Sequence, residues 1–275
     1  MKENEFYFIS NDYFHKISQV TKNVSYNKNS SDFLNARPYY FCMEDKKIPA
    51  IKWIIPTSTK TNKYKEEHNK KIKKYGKDYT IAFSTINSTD TAFLLQNMLP
   101  TIEDYKSGTY INKNNNVPYS LSNAEFLSLK KSVSYILMQT FKYNNKMTFT
   151  NIKDIYSLMV NEVVLETSKN LYGKLNLAKG LQNDLSKVIG LEFYSYMDTN
   201  NENVKKFKVN DFFKYEGNYY LGLEDERKRN YLIVNPTLNN KTGLLQYPVL
   251  VDERQHRRTN SQEKTKQSKN DNVME

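Results

Sequence analysis

Three consecutive hydroxyl side chains follow Pro56 at the end of a short apolar run: Thr57, Ser58 and Thr59. A basic stretch begins directly after them, with eight lysines and two glutamates over residues 60–77. Because a buried strand holds its last residues in fixed positions, hydroxyls at such an end are well placed to contact a ligand. The lysines that follow favour an anionic ligand.

Arg37 is expected to face these hydroxyls across a β-hairpin. Residues 37–43 (RPYYFCM) and 48–55 both have the composition of strands, and a charged turn joins them. Arg37 and Ser58 lie about ten residues on either side of the turn, which places them at the same end of the hairpin. The guanidinium would then lie beside two or three hydroxyls.

This combination of side chains suits a phosphodiester. Arginine binds phosphate oxygens in bidentate fashion, and fixed donors stabilise the charge that builds on a pentavalent transition state. RNA supplies its own nucleophile, the 2′-OH, so the reaction requires neither a metal ion nor a nucleophile from the protein. The sequence therefore predicts an RNA-cleaving site without a cofactor or metal, with Arg37, Thr57 and Ser58 as its catalytic residues.

The lysine-rich stretch and nearby aromatic residues are predicted to hold the rest of the RNA. Lysines contact the phosphate backbone, and aromatic rings such as Tyr39, Tyr40 and Trp53 are able to stack on unpaired bases. The predicted RNA-binding residues are Tyr39, Thr59, Lys60, Lys63, Lys65, Lys70, Lys73 and Lys74.

Each of these features also has a simpler interpretation. A Thr-Ser-Thr segment before a helix is more often simply a helix cap, and Arg37 and the lysines are also typical of an ordinary solvated surface. Trp53 lies inside a predicted strand, where a tryptophan is more often part of the core. His68 is expected to be solvated, although a role as general acid or base is conceivable.

The composition favours a polyanionic partner. The 275 residues include 41 basic and 30 acidic side chains, which gives a net charge of +11. Nucleic acid and an anionic membrane surface both fit this charge, and so does the compositional drift of an AT-rich genome. No apolar run has the length of a signal peptide or a membrane span, so we expect a cytoplasmic protein without a membrane partner.

The number and spacing of the cysteines and histidines exclude some kinds of site. Cys42 is the one cysteine, so an internal disulfide and a cysteine-based zinc site are excluded. The three histidines, His15, His68 and His256, do not have the spacing of metal ligands. A metabolic enzyme is a third class of function, but the sequence contains no cofactor or metal motif that would support it.

The elements around the site predict an α+β fold. A helix is expected from Lys60 to Lys74, ended by Gly76, and a capping box at Ser122 precedes a long amphipathic helix over residues 124–141. A further helix is predicted from the cap Thr150 to about residue 171, ended by Gly173. These helices would pack on a compact twisted antiparallel sheet.

Three regions are distinguished along the chain. Residues 1–173 form the predicted ribonuclease domain, and residues 174–251 form a small β-rich appendage of unknown role. A hairpin is predicted in this appendage with Gly217 and Asn218 at its turn. Residues 252–275 are basic and contain few apolar residues, which predicts a disordered tail.

Four segments, in this order and spacing, resemble the toxins of type III toxin–antitoxin systems, the ToxN/AbiQ group, with the CptN-like branch most similar. The segments are FYFIS (6–10), RPYYFCM (37–43), IKWIIPTSTK (51–60) and FLLQNMLPTIEDY (93–105). The resemblance extends over residues 6–168. It implies a compact fold like that of the MazF/Kid toxins, a twisted sheet or small barrel with added helices.

The resemblance also implies an activity and partners. These toxins are metal-independent endoribonucleases that leave a 2′,3′-cyclic phosphate, and they act in abortive infection against phage. Their substrates are mRNA and the precursor of the antitoxin, a repeat RNA whose pseudoknot units inhibit the toxin. A cyclic hetero-oligomer of toxin and RNA is a further implied assembly.

The active-site pattern of the group is a basic residue on an early strand and a Thr-Ser or Ser-Ser pair after a proline. Thr57 and Ser58 match the pair, and Arg37 matches the basic residue, where many relatives carry lysine. The region after Gly173 departs from the pattern. The alternative function is a non-catalytic nucleic-acid-binding protein of a mobile element.

Overall fold

The computed structural model describes residues 1–21, 37–180, 185–198, 200 and 203–251. The chain divides into two compact units, Met1–Asn161 and Glu162–Glu275. The predicted basic tail, residues 252–275, lies outside the described residues. The predicted domain limits, at residues 173 and 251, stay a prediction.

The first unit contains a seven-stranded antiparallel sheet. Its strands are β1 (Glu5–Ile9), β2 (Tyr39–Glu44), β3 (Lys52–Ser58), β4 (Ile81–Ile86), β5 (Thr89–Leu94), β6 (Leu99–Thr101) and β7 (Lys106–Thr109). They lie in the order β4-β5-β3-β2-β1-β7, and β6 pairs with the first half of β3. The predicted antiparallel sheet is confirmed.

The sheet is open, which corrects the expectation of a small barrel. Closure would require hydrogen bonds between the two edge strands, β4 and β7. Among the described residues these strands do not pair, because β4 bonds to β5 and β7 bonds to β1. The outer edge of β3 is divided between β6, at its start, and β5, at its end.

The central strand β2 is buried on both faces of the sheet, which explains its aromatic composition. Tyr39 packs against Phe14, which belongs to the short helix α1 (Asn11–Ser18). The next residue, Tyr40, belongs to the core on the other face, together with Val133 and Ile136. Successive side chains of a strand point to opposite faces, so one run of large apolar residues fills both cores.

The helices of this unit begin and end largely where the sequence predicts. The Ser10 hydroxyl caps α1 by accepting from the N–H of Tyr13. The lysine-rich helix α2 (Thr61–Tyr75) ends at Gly76, whose φ of 78° is readily adopted only by glycine. The predicted capping box of Ser122 and Glu125 is present at the start of α3 (Asn123–Leu137). A π-helical turn over Met138–Lys142 continues α3.

Helix α4 (Ile152–Gly180) is longer than expected and does not end at Gly173. Leu171, Leu175 and Ala178 are buried in the core of the second unit. Burial of these side chains outweighs the cost of about 1 kcal/mol that a glycine imposes inside a helix. Within the described part of the chain, no helix combines the length and the apolar character that a membrane span needs.

The second unit is a five-stranded antiparallel meander packed on the later part of α4. Its strands are β8 (Glu192–Tyr196), β9 (Val204–Tyr215), β10 (Asn218–Asp225), β11 (Asn230–Val234) and β12 (Val249–Leu250). The predicted hairpin is present between β9 and β10, but its turn lies at Glu216 and Gly217, one residue earlier than expected. Both residues have positive φ, at 46° and 79°, as a two-residue hairpin turn requires.

Candidate active site

The register of β2 and β3 determines which residues meet at the end of the hairpin. Tyr39 pairs with Pro56, and Tyr40 pairs with Ile55. Extending this register by two positions places Arg37 opposite Ser58. A bulge between Phe41 and Met43 shifts the pairing nearer the turn, but it does not alter the open end of the hairpin. The predicted proximity of Arg37 and Ser58 follows from this register.

A cavity of about 390 Å³ opens at this end of the sheet. The described residues that line it are Phe6, Arg37, Pro38, Thr57, Ser58, Thr59, Lys60, Ile86, Thr89, Thr91 and Tyr110. Five predicted site residues therefore line the same cavity: Arg37, Thr57, Ser58, Thr59 and Lys60. None of the lining residues is acidic, so the cavity suits an anion.

The two predicted catalytic hydroxyls have different hydrogen-bond partners. The Thr57 hydroxyl donates to the carbonyl oxygen of Pro38 at 3.0 Å, which ties the end of β3 to the start of β2. The Ser58 hydroxyl oxygen accepts from the backbone N–H of Lys60 at 3.2 Å. Its own hydrogen has no acceptor among the described residues, so it remains able to donate to a ligand. Thr57 and Ser58 are 5% and 9% exposed.

The helix-cap interpretation of the hydroxyls is wrong. The N-cap position of α2 is occupied by Lys60, and no side chain makes a capping hydrogen bond to this helix. The first turn also lacks an acidic residue. Because the N-terminus of a helix carries partial positive charge, an uncapped start beside Lys60 attracts an anion in the cavity.

Tyr39 does not reach the cavity. Tyr39 is 2% exposed, and its ring packs on Phe14. Burial raises the pKa of its phenol, and the charge of Arg37 opposes that rise. The guanidinium of Arg37 thus lies near the Tyr39 hydroxyl, but the ring offers no surface on which a base could stack.

Tyr40 and Trp53 are core residues as well. The Tyr40 hydroxyl donates to Asn4 at 2.9 Å, and Trp53 stacks on Tyr156 with ring centroids 5.9 Å apart. The indole N–H of Trp53 donates to Asp45 at 3.2 Å. These contacts confirm the core interpretation of Trp53.

Sequence reasoning missed the apolar and threonine walls of the cavity. Phe6 comes from β1, Ile86 and Thr91 come from the β4–β5 hairpin, and Tyr110 directly follows β7. The ring of Tyr110 packs on Tyr119 at 4.9 Å, and burial, with the neighbouring Tyr119, raises the pKa of its phenol. These residues are scattered along the chain, so no local pattern marks them as a group.

The remaining predicted RNA-binding lysines lie along α2 outside the cavity. Those exposed to solvent are Lys63, Lys65, Lys70, Lys73 and Lys74. None of the residues of α2 is buried, as expected for a helix without an apolar stripe. Lys65 pairs with Asp90 at 3.6 Å, and Lys71 donates to Thr80 at 2.7 Å, which fixes the helix to the sheet.

His68 is half-buried, which corrects the expectation that it is solvated. Its Nδ1 lies 2.9 Å from a carboxylate oxygen of Asp78, and its ring meets Phe83 edge-on. Asp78 also accepts from the backbone N–H and the hydroxyl of Thr80. His68 therefore joins α2 to β4 and does not line the cavity.

The described side chains do not form a metal site. Over the described ranges, no three His, Cys, Asp or Glu side chains are grouped as a metal site requires. Cys42 is fully buried, and burial raises the pKa of its thiol to about 12.

The fold and the cavity define an α+β protein with cations and hydroxyls collected at one end of an open sheet. No sequence model of a known protein family matches the chain, and no curated protein matches it. Among solved structures, the chain is similar to AbiQ, a lactococcal anti-phage endoribonuclease of the type III toxin–antitoxin system. The superposition has a TM-score of 0.45 and 10% sequence identity, and it covers 57% of this chain and 96% of AbiQ.

Proposed function

We propose that this chain is a metal-independent endoribonuclease and the toxin of a type III toxin–antitoxin system. The observation that carries the proposal is the meeting of Arg37 and Ser58 at one cavity without acidic lining residues. The sequence resemblance to the ToxN/AbiQ toxins, which rests on the same Pro-Thr-Ser segment, supports the same activity.

The proposed reaction is an internal transesterification of RNA. The 2′-oxygen attacks the adjacent phosphorus and loses its proton, the bond from phosphorus to the 5′-oxygen breaks, and the 5′-oxygen gains a proton. The products are a 2′,3′-cyclic phosphate and a free 5′-hydroxyl. Atoms and charge balance without an oxidant, a metal ion or a covalent bond to the protein.

Arg37 and Ser58 have separate roles in this reaction. The guanidinium of Arg37 binds two phosphate oxygens and stabilises the charge of the phosphorane. Ser58 donates its hydroxyl hydrogen to the 2′-oxygen or to a phosphate oxygen, because that hydrogen has no acceptor among the described residues, while the oxygen accepts from the N–H of Lys60. Thr57 is a positioning residue, since its hydroxyl is bonded to Pro38.

Lys60 and the start of α2 would hold the same phosphate, and Thr59 lies beside them on the cavity wall. The exposed lysines of α2 would then contact flanking phosphates, each adding a salt-dependent contribution to affinity. Tyr39 is left out of this proposal because its ring is buried.

The proposed biological partners follow from the resemblance. The substrates are mRNA and the antitoxin precursor in the cytoplasm, and the inhibitor is a repeat pseudoknot RNA that assembles with the toxin, in a cyclic complex for some relatives. Residues 1–173 are the proposed ribonuclease domain, with residues 174–251 as an appendage.

The decisive experiment is incubation of single-stranded RNA with the full chain in the presence of EDTA. Mapping of the ends should give 2′,3′-cyclic phosphates and 5′-hydroxyls with the unaltered protein, formed about 10²–10³ times more slowly with Ser58→Ala. A matched control is Ser128→Ala, which alters an exposed serine on α3. RNA that stays intact with the unaltered protein would contradict the proposal.

The second candidate is a protein that binds nucleic acid without cleaving it. The observation in its favour is the low exposure of both hydroxyls, 5% for Thr57 and 9% for Ser58. The same assay separates the two functions, because this candidate predicts a stable complex with intact RNA.

A further inference from the structure

A second cavity, of about 320 Å³, lies between the end of α3 and the start of α4. Its lining residues are Thr140, Lys146, Phe149 and Lys153, together with three asparagines, two further threonines and Ile152. They share no residue with the Arg37 cavity, and they come from one loop and the two helix ends that it joins. The walls are mostly amide, hydroxyl and ammonium groups, which is the chemistry of a polar ligand.

The charge of this region is positive. Lys142, Lys146 and Lys153 lie within residues 138–153, which contain no acidic residue. The next residue, Asp154, already accepts a hydrogen bond from the side chain of Asn151 at 2.6 Å. The start of α4 adds the partial positive charge of a helix N-terminus. An anion is therefore the expected occupant.

A buried hydroxyl on the wall of the cavity also points to a ligand. Thr140 is 8% exposed, and its hydroxyl oxygen finds no hydrogen-bond partner among the described residues. It belongs to the π-helical turn that ends α3, and such turns are frequent at functional sites. An unpartnered buried hydroxyl costs free energy, and this cost indicates that the turn serves a function other than stability.

Two aromatic rings project beside the cavity. Tyr143 is 52% exposed and Phe149 is 55% exposed, whereas most of the described aromatic residues of this unit are buried or half-buried. Phe149 is held in place because its backbone N–H donates to the carbonyl of Gln96 at 2.9 Å. Lys142 lies over the ring of Tyr143, 5.2 Å from its centroid. Exposed rings beside ammonium groups are typical of surfaces that bind single-stranded nucleic acid.

Gln96 connects this region to the lysine-rich helix. Its side-chain oxygen accepts from Lys71 of α2, while its backbone carbonyl accepts from Phe149. Lys71 of α2 and Phe149 of the cavity wall thus both bond to the same buried residue, Gln96.

We propose that the cavity between α3 and α4 binds a backbone phosphate of single-stranded RNA, with Lys146 and Lys153 as its cationic ligands. Phe149 and Tyr143 stack on the bases that flank this phosphate. Naming RNA rests on the proposed function, but the site does not take part in cleavage. It is a binding site, separate from the Arg37 cavity, that holds the strand at a distance from the cleaved bond.

The test uses the full chain and a fluorescein-labelled 2′-O-methyl RNA of about 12 nucleotides, long enough for one single-strand site. This RNA has no free 2′-OH and cannot be cleaved, so binding is measured by itself. Phe149→Ala should weaken binding about tenfold through the loss of one stacked base. Lys146→Ala with Lys153→Ala should lower the slope of log K against log salt by about 0.7, the value for one phosphate contact on a single strand.

Lys131→Ala is the matched control, since it removes an exposed lysine of α3 outside the cavity and should leave the affinity unchanged. Variants are accepted after their thermal unfolding is shown to match that of the unaltered chain. Unchanged affinity and salt slope in Phe149→Ala and in the double lysine variant would overturn the site.

The two proposals fail in distinguishable ways. If the RNA is never cleaved but the cavity variants still weaken binding, the binding site stands and the nuclease proposal falls. If Ser58→Ala lowers the cleavage rate as expected while the cavity variants bind as the unaltered chain does, the nuclease proposal stands and the binding site falls. A duplex that binds as tightly as the single strand, with no effect of Phe149→Ala, also overturns the stacking site.

Discussion

The hydroxyl of Thr57 donates a hydrogen bond to the carbonyl oxygen of Pro38 at 3.0 Å. This bond joins the ends of β3 and β2 next to Arg37 and Ser58, the two residues proposed to contact the phosphate. It also commits one of the two hydroxyls to the protein. The neighbouring Ser58 keeps its hydrogen available, and this difference leads to a prediction.

Ser58→Ala is expected to lower the cleavage rate by about 10²–10³, the usual effect of removing one donor to a transition state. Thr57→Val should instead reduce the free energy of unfolding by about 1 kcal/mol, since it removes one partly buried hydrogen bond, with a smaller loss of rate. Single-turnover cleavage and urea unfolding measure the two effects. Equal losses of rate in both variants would contradict the separate roles.

Arg37→Lys is expected to retain more activity than Arg37→Ala. Lysine keeps the positive charge and stands at this position in many of the toxins that the sequence resembles, but it cannot form the bidentate contact. We expect a loss of about tenfold for lysine and about 10³-fold for alanine, measured as kcat/KM. Identical rates for the two variants would show that the charge of Arg37 does not act on the reaction.

The exposed lysines of α2 are expected to contribute to RNA affinity through charge alone. Replacing Lys70, Lys73 and Lys74 with alanine should lower the salt slope of binding by about 2, if all three contact phosphates of a single strand. The helix should persist, because none of its residues is buried. The matched control is a set of three exposed lysines elsewhere, Lys208, Lys214 and Lys241, whose replacement should leave the slope unchanged.

Asp225 is expected to stabilise the second unit in a pH-dependent way. Burial raises the pKa of its carboxyl, but the bonds from Arg229, at 2.6 and 2.9 Å, and from the backbone outweigh this and lower the pKa to about 2. The contribution is therefore complete above the ordinary value of 3.8 and is lost as the pH falls toward 2.

Asp225→Asn should reduce the free energy of unfolding by about 1–3 kcal/mol at neutral pH and should flatten its dependence on pH below 4. Urea unfolding followed by circular dichroism between pH 2 and 7 would measure both effects. The control is Asp211→Asn, an exposed aspartate of the same sheet. A variant with the acid sensitivity of the unaltered protein would contradict the assignment.

Cys42 is expected to be unreactive in the folded protein. Its side chain is fully buried, and burial raises the pKa of the thiol to about 12, so almost no thiolate exists near neutral pH. A thiol reagent such as iodoacetamide should label the chain only after unfolding. Rapid labelling of the native protein would show that this core opens readily.

The predicted strands and helices could be read from local patterns. The capping box at Ser122, the glycine after α2 and the aromatic segment before Met43 are each recognisable within a few residues. The proximity of Arg37 and Ser58 was also predictable from the sequence, because a hairpin pairs residues at equal distances from its turn. These features depend on short-range geometry that the order of the residues already contains.

Other features depended on contacts between distant parts of the chain. Nothing near Gly173 indicates that α4 continues through it, because the buried surface that stabilises it comes from a sheet formed by later residues. The sheet stays open because β4 pairs with β5 and β7 pairs with β1, and these pairings depend on the order of all the strands in the sheet.

The sequence by itself determined the hydroxyls, the cations and the hairpin that brings them together. Only the tertiary structure decided that Thr57 is bonded to Pro38, that Tyr39 is buried and that Phe149 is exposed. The physical reason is that side-chain burial and hydrogen-bond partners depend on which distant elements pack nearby. A local pattern of residues specifies a strand or a helix, but it does not specify what will cover it.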